Sequence, residues 1–211
     1  MDILCAPVGP IQGNCYFVYD DERRACVVDP GAEPERLARI VEREQLQVEA
    51  ILVTHGHFDH IEAVRGLHDV TRATVYCSAA VAPVLAGEQD CSATGLPIDG
   101  IDKTGMVVVH DGSRLQVGGL SVSVIETPGH TPGDVTYDID GRLFCGDLLF
   151  RGSVGRTDFP GGDFAQLLAS IARLVALYPR STQVHPGHMQ STTLEHELAS
   201  NPFLEGLRSN G

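Results

Sequence analysis

Three histidines and an aspartate crowd into the run Thr54-His55-Gly56-His57-Phe58-Asp59-His60, directly after the apolar residues Ala50, Ile51, Leu52 and Val53. Neutral imidazole suits borderline metals such as zinc and iron, and a carboxylate adds compensating charge. Side chains alternate along extended backbone, so His55 and His57 point the same way in a sharp loop. Asp59 and His60, just past the bend, can aim at a second point close by. The spacing fits two metal ions a few ångströms apart and not one closed structural site. A polar turn with chance histidines is the competing account, and it is a poor one, because histidine is usually scattered and not clustered.

Three later positions could complete the set. Thr127-Pro128-Gly129-His130-Thr131-Pro132-Gly133 places a histidine in a Pro/Gly loop after an apolar run. Cys145-Gly146-Asp147 ends another such run with an aspartate, and Val184-His185-Pro186-Gly187-His188 ends a third with a histidine. Each has glycine beside it, where backbone can approach an ion closely. Taken singly they read as a loop histidine, a turn aspartate and a C-terminal histidine; with the 55–60 cluster they form a constellation. His185 is the best candidate for a supporting role, since metal ligands are commonly held by a second polar group. His68, His110, His196 and His185 itself read first as surface or packing residues.

The elements that deliver these residues are short. Residues 3–8, 15–19 and 25–28 read as strands, separated by turn-forming glycine, proline and charged residues. Residues 33–45 read as a helix, with Leu37, Ile40 and Val41 forming its apolar stripe. Residues 48–53 are the strand that ends at the histidine cluster. Residues 61–67 and 79–86 read as short helices around a strand at 74–77. The stretch 87–105 has little periodicity and reads as a long loop. Strands are expected at 107–109, 114–117, 121–125, 135–139, 143–145 and 182–185. Residues 163–177 form the clearest helix, with Asp163 as its N-cap, and 192–199 a last helical segment. Two halves of similar style predict packed sheets with helices outside.

The chain has 211 residues and a net charge of −13, from 28 acidic and 15 basic residues. That length carries a real core and is read as one domain, 1–211. The acidic balance argues against nucleic-acid phosphates and against an anionic membrane surface as partners. Six cysteines without a Cys-x-x-Cys pair, most of them in apolar runs, point to a reduced, cytoplasmic setting. No signal peptide or run of transmembrane length is visible.

The ordered series His-x-His-x-Asp-His, His130, Asp147 and His188 resembles the metallo-β-lactamase-fold superfamily, along with Asp29-Pro30-Gly31 near the start. The resemblance spans nearly the whole chain. It implies a four-layer αβ/βα sandwich, two mixed sheets packed face to face with helices outside. By position it implies that His55, His57 and His130 hold a first metal, that Asp59, His60 and His188 hold a second, and that Asp147 bridges them. Thr127 to Gly133, Gly155-Arg156-Thr157-Asp158-Phe159-Pro160 and Asn201-Pro202-Phe203-Leu204 are similar to the short bacterial glyoxalase II branch, in which Met189-Gln190 is Gly-Pro in many relatives. That branch implies a small-molecule thioester substrate of the S-lactoylglutathione type. Two divalent ions, zinc favoured and iron or manganese as alternatives, would then lower the pKa of a bridging water and polarise the thioester carbonyl. Asp59 would hold the hydroxide in line and Asp147 would keep the ions apart, making both catalytic. Arg151 and Arg156 are candidate contacts for a substrate carboxylate, with an Arg156–Asp158 salt bridge as the plainer reading. The rival is a mononuclear-iron persulfide dioxygenase of the same fold, which has a similar Gly-Arg-Thr-Asp-Phe stretch; there His55, His130 and Asp147 would hold the iron. Neither reading specifies the oligomeric state.

Overall fold

The computed structural model describes residues 1–91, 95 and 97–210, with the side chains of 208–210 excepted. The first half runs β1 (Asp2–Val8), β2 (Gly13–Tyr19), β3 (Arg24–Val28), α1 (Pro34–Arg43), β4 (Gln47–Leu52), α2 (Phe58–Ile61), α3 (Val64–Thr71), β5 (Thr74–Ser78), α4 (Ala82–Leu85) and β6 (Met106–Val109). The second runs β7 (Arg114–Val117), β8 (Leu120–Glu126), β9 (Val135–Ile139), β10 (Arg142–Gly146), β11 (Leu149–Phe150), β12 (Ser153–Val154), α5 (Phe164–Leu177), β13 (Gln183–Pro186), β14 (Thr192–Thr193) and α6 (Leu194–Ser200).

Two six-stranded mixed sheets result, in the orders β1-β2-β3-β4-β5-β6 and β14-β13-β10-β9-β8-β7. Alternation along the strands sorts their side chains into separate apolar layers. On β2, Cys15 and Phe17 face α1 and α3 with Leu37, Ile40 and Leu67. Tyr16 and Val18 face the other way and meet the second sheet at Val122, Val124, Tyr137 and Phe144. On the far side, Leu143, Cys145 and Val184 pack against Leu167, Ile171 and Leu174 of α5. Helix, sheet, sheet and helix are the four layers the sequence led us to expect. Each fully buried large side chain stabilises this arrangement by about 1.5–3 kcal/mol.

One irregularity matters for the site. The parallel pairing of β3 with β4 shifts between Ala25 and Cys26, whose partners are Val48 and Ala50. Glu49 is skipped, so Val48 faces the helices while Ala50 faces the other sheet. A strand with strict alternation would carry both to one side. The shift sets the face on which the chain arrives at Thr54.

The local departures from expectation have local causes. The helix expected at 61–67 is two short helices, interrupted at Ala63, whose N–H donates to the Pro30 carbonyl. The segment at 192–199 begins as β14, pairs with β13, and turns helical only at Leu194, where Thr193 caps α6. The β11–β12 hairpin has two residues per strand, too few for periodicity to show. Asp163 caps α5 as expected, accepting from the Gln166 N–H at 3.0 Å. Within the 87–105 stretch, residues 92–94 and 96 lie outside the described residues, while Cys91 and Ile101 are buried against the first core layer.

Candidate metal centre

The cluster gathers at the C-terminal ends of β4, β8, β10 and β13. His55 and His57 follow β4, and His57 occupies the N-cap position of α2, which carries Asp59 and His60. His130 follows β8, Asp147 follows β10, and His188 follows β13. Four of the histidines (55, 57, 60 and 130) are buried, and Asp59, Asp147 and His188 are nearly so.

All seven ligand-type residues come together. His55, His57 and His130 place nitrogens within 4.8 Å of one another, and Asp59, His60 and His188 form a second such group. Asp147 reaches both: its oxygens lie 3.6 Å from His130, 3.4 Å from His60 and 3.6 Å from His188. His188 lies 3.0 Å from Asp59.

Hydrogen bonds fix the tautomers. His60 Nδ1–H donates to Asp29 at 3.0 Å, and His130 Nδ1–H donates to the Arg156 carbonyl at 2.7 Å. The Thr54 hydroxyl donates to Asp29 at 2.6 Å, so its oxygen is free to accept from His55 Nδ1–H at 3.0 Å. Each of these three rings therefore turns its Nε2 inward. The Nε2 atoms of His55, His57 and His60 and Oδ1 of Asp147 are buried with no hydrogen-bond partner among the described residues. Buried polar atoms are rarely left so. Converging lone pairs and a carboxylate suit a divalent cation, and this cluster is a divalent-metal site.

Charge coupling follows from the same geometry. Burial, reinforced by the neighbouring imidazoles, pushes His55 well below the usual range. Burial also takes His57 down to about 4. Burial opposes the charged form of His60, yet Asp147, Asp29 and Asp59 outweigh it and raise His60 well above the usual range. Burial would raise Asp59 and Asp147, but hydrogen bonds and charge from His60 and His188 hold both carboxyls low. His55 and His57 are thus neutral donors and Asp59 and Asp147 ionised carboxylates, while His60 holds a proton that a cation at its Nε2 would displace.

Backbone packing brings the loops this close. A Cβ at Gly187 would strike Asp147 and sit 2.6 Å from His60 Cε1. A Cβ at Gly31 would overlap the Asp59 carbonyl. The glycine of Asp29-Pro30-Gly31 is thus what lets β3 end against α2. Asp134 clamps the His130 loop through the Thr131 N–H and hydroxyl, and burial raises its carboxyl to about 7. The Ser170 hydroxyl of α5 donates to the Pro128 carbonyl at 2.7 Å.

His185 is a packing residue, and the supporting role weighed for it falls to other groups. It does not support any residue of the cluster: its ring stacks on Phe144 at 4.7 Å and its Nδ1 lies 2.9 Å from the Ser191 hydroxyl. β13 alternates, so His185 points between the sheets while the chain must run on to His188. The supporting groups are Asp29, Thr54 and the Arg156 carbonyl. Asp29 and Thr54 stood inside motifs already noted, but nothing local marked them as partners. Burial lowers His185 from 6.5 to about 4, so the folded state resists its protonation. Its folded pKa lies below its unfolded one, so its stability contribution is complete above pH 6.5 and declines as pH falls towards 4. Stability measured by urea titration across that window should fall less steeply in His185→Phe, and an unchanged slope would contradict the assignment.

Arg156 makes a bidentate pair with Asp158, both bonds 2.7 Å, and its guanidinium lies 3.9 Å over the Phe159 ring. Phe159 meets His57 edge-on at 5.8 Å, so this stack walls one side of the cluster. Arg151 bonds Gln190 at 3.3 Å. Its hairpin turn is held by buried Glu197, which accepts from the Gly152 N–H and from Asn201. All six cysteines are free, and Cys5 alone is exposed. Among the described residues no helix is long and apolar enough to cross a membrane.

The profile of the Metallo-beta-lactamase superfamily matches residues 8–188, and the chain belongs to that superfamily. It is 34% identical over 208 residues to the hydroxyacylglutathione hydrolase GloC of Haemophilus influenzae, covering 97% of this chain and 98% of that protein. Among solved structures it resembles TTHA1623 in a di-iron-bound form, with 40% identity, a TM-score of 0.83 and coverage of 95% and 100% of the two chains. It also resembles ETHE1 from Myxococcus xanthus, with 30% identity, a TM-score of 0.79 and coverage of 98% and 85%. Sequence, fold and site together define a metallo-hydrolase-like enzyme of this superfamily.

Proposed function

We propose that the chain is a dinuclear metal-dependent hydrolase of small thioesters, of the S-lactoylglutathione type. One observation carries this reading. Asp147 stands between two ligand groups, its oxygens 3.6 Å from His130 on one side and 3.4 Å from His60 on the other. His55, His57 and His130 would hold one ion, Asp59, His60 and His188 the other, and Asp147 would touch both. The likeness to GloC and to a di-iron protein of the same fold supports it.

A pair of divalent ions supplies electrophilic polarisation of the carbonyl and a water that ionises near neutral pH. The chain's own residues do the rest. Asp59, held ionised, provides a carboxylate oxygen that accepts a hydrogen bond from the nucleophile and orients it, while Asp147, also ionised, would keep the ions apart. The buried faces of His55, His57 and His130 exclude bulk water from one side. The Phe159–Arg156 stack forms a wall against which an acyl group can rest. A thiolate leaves without a protonating acid, because the thiol pKa, about 8.5, is already close to neutral.

Arg151 and Arg156 are the proposed contacts for a thiol carrier's carboxylates. Arg156 is already committed to Asp158, and the chain has one lysine, Lys103. Each charged contact missing from a site contributes about 1.5–3 kcal/mol less, raising KM roughly tenfold or more. We expect lactoyl-glutathione hydrolysis with a high KM, alongside turnover of the same acyl group on smaller and on uncharged thiols. Activity confined to the glutathione ester at low-micromolar KM would reveal a dedicated pocket instead. The mononuclear-iron persulfide dioxygenase remains the second reading, favoured by the Gly155-to-Phe159 stretch. Metal counting with an oxygen electrode separates the two: one iron per fully active chain and oxygen uptake would overturn the hydrolase.

A further inference from the structure

His188 is aimed differently from its neighbours. His55, His60 and His130 are each directed by a hydrogen bond at Nδ1, to Thr54, Asp29 and the Arg156 carbonyl. Among the described residues Nδ1 of His188 has no such bond; its Nε2 hydrogen-bonds only with another member of the cluster, Asp59, at 3.0 Å, so the flanking backbone is what aims the ring from outside the cluster. Ahead of it the backbone is locked several times over. The Gly187 N–H donates to Gly146, the Gly187 carbonyl accepts from the Asn14 N–H, both at 2.7 Å, and the Tyr16 hydroxyl donates to the Pro186 carbonyl at 2.7 Å.

Behind it the hold is slighter. Met189 sits at φ +67°, a left-handed conformation that is costly for a residue with a Cβ. Its carbonyl accepts a hydrogen bond from Asn14 Nδ2 at 2.8 Å, the one bond shown to that oxygen among the described residues. The same amide nitrogen donates to the Pro186 carbonyl at 3.0 Å, and the two carbonyl acceptors fix which way the amide faces. Asn14 is 4% exposed and belongs to β2, in the opposite sheet from β13. Its side chain therefore joins the two sheets at the carbonyls flanking His188.

We propose that Asn14 is a positioning residue for His188: by holding Met189 in its left-handed turn, its amide sets the second metal position and decides whether the chain holds two ions or one. The proposal rests on the dinuclear reading above. Removing the amide leaves the Gly187 backbone bonds in place and releases the C-terminal side of His188. The first group, His55, His57 and His130, shares no hydrogen bond with Asn14 among the described residues and is expected to keep its ion.

The test is equilibrium dialysis of the full-length chain against buffered Zn²⁺, with metal counted per chain and thermal unfolding followed alongside. Wild type, Asn14→Ala, Asn14→Asp and the double variant Asn14→Ala/Met189→Gly are compared. Wild type should bind two ions. Asn14→Ala and Asn14→Asp should weaken the second by about 10–100-fold and leave the first within a few-fold, as loss of a supporting group does. Glycine adopts positive φ without strain, so Met189→Gly should recover most of the second affinity, which a merely structural role for Asn14 would not allow. Two ions bound by Asn14→Ala at wild-type affinities would overturn the proposal, as would equal weakening of both sites. If Asn14→Ala does not fold, Asn14→Asp decides; failure of both to fold also overturns it, since the amide would then hold the fold and not one histidine. A wild type with a single ion would instead overturn the dinuclear reading, whatever the variants do.

Discussion

Asp147→Asn should lose both turnover and metal while keeping its fold. The carboxylate lies within 3.6 Å of His130, His60 and His188, and its Oδ1 is buried without a hydrogen-bond partner. Asparagine matches the volume but carries no charge, and its NH₂ would turn donor hydrogens towards bare imidazole nitrogens or a cation. Loss of a supporting partner alone weakens metal affinity by about 10–100-fold, and a group reaching both ligand sets should cost at least that. We expect turnover to fall on the order of 100-fold or more, with metal per chain well below wild type and an unchanged far-ultraviolet spectrum. The backbone around Asp147 is held independently: Leu148 N–H donates to Cys145, and Gly155 N–H donates to Leu148. Wild-type activity and metal content in Asp147→Asn would refute the shared role of this residue.

The cluster was legible because its chemistry is written locally. His55, His57, Asp59 and His60 fall within one strand end and one turn of helix, and ligand spacing there needs no knowledge of the sheets. The three later ligands were legible by residue type, each at the end of an apolar run and beside glycine. Packed sheets with helices outside could be expected from the two similar halves, and the four layers from the family resemblance; β2, where every residue is buried, shows the two-sided burial such layers impose. The supporting groups were not legible, because they depend on register. Asp29 meets Thr54 only because β3 and β4 run parallel with Val28 opposite Leu52. Asn14 reads as part of a Gln-Gly-Asn turn, and its partners Pro186 and Met189 lie in the other sheet. The supporting role weighed for His185 fails for the opposite reason. Proximity in sequence to His188 counted in its favour, but a strand sends residues three apart to opposite faces. The break between α2 and α3 was hidden too, since it is set by the Pro30 carbonyl approaching Ala63 from another strand end.

Asp29→Asn should be costly to the fold as well as to the metal centre, and that combination separates it from Asp147→Asn. Asp29 is 2% exposed, and its two oxygens accept from the Thr54 N–H at 2.8 Å, the Thr54 hydroxyl at 2.6 Å and His60 Nδ1 at 3.0 Å. Its backbone sits at φ +49°, a region asparagine occupies as readily as aspartate, so the substitution leaves the turn unstrained. What changes is the hydrogen bonding. One carboxylate oxygen becomes an NH₂, which meets donors where it met acceptance before. If the amide oxygen keeps Thr54 N–H, the NH₂ faces both the Thr54 hydroxyl and His60 Nδ1–H. The hydroxyl must then rotate away, His55 loses its fixed acceptor, and the buried His60 proton has no partner. A buried donor left unsatisfied costs about 1–3 kcal/mol, more where charge is involved. We expect metal-free Asp29→Asn to lose roughly 2–4 kcal/mol in urea unfolding at an unchanged m value, where metal-free Asp147→Asn loses little. Metal affinity should fall by about 10–100-fold, because His55 and His60 are no longer held to the tautomers that present Nε2. Equal stability of Asp29→Asn and wild type in the metal-free state would show that the Asp29–Thr54–His60 bonds do not hold the strand ends together.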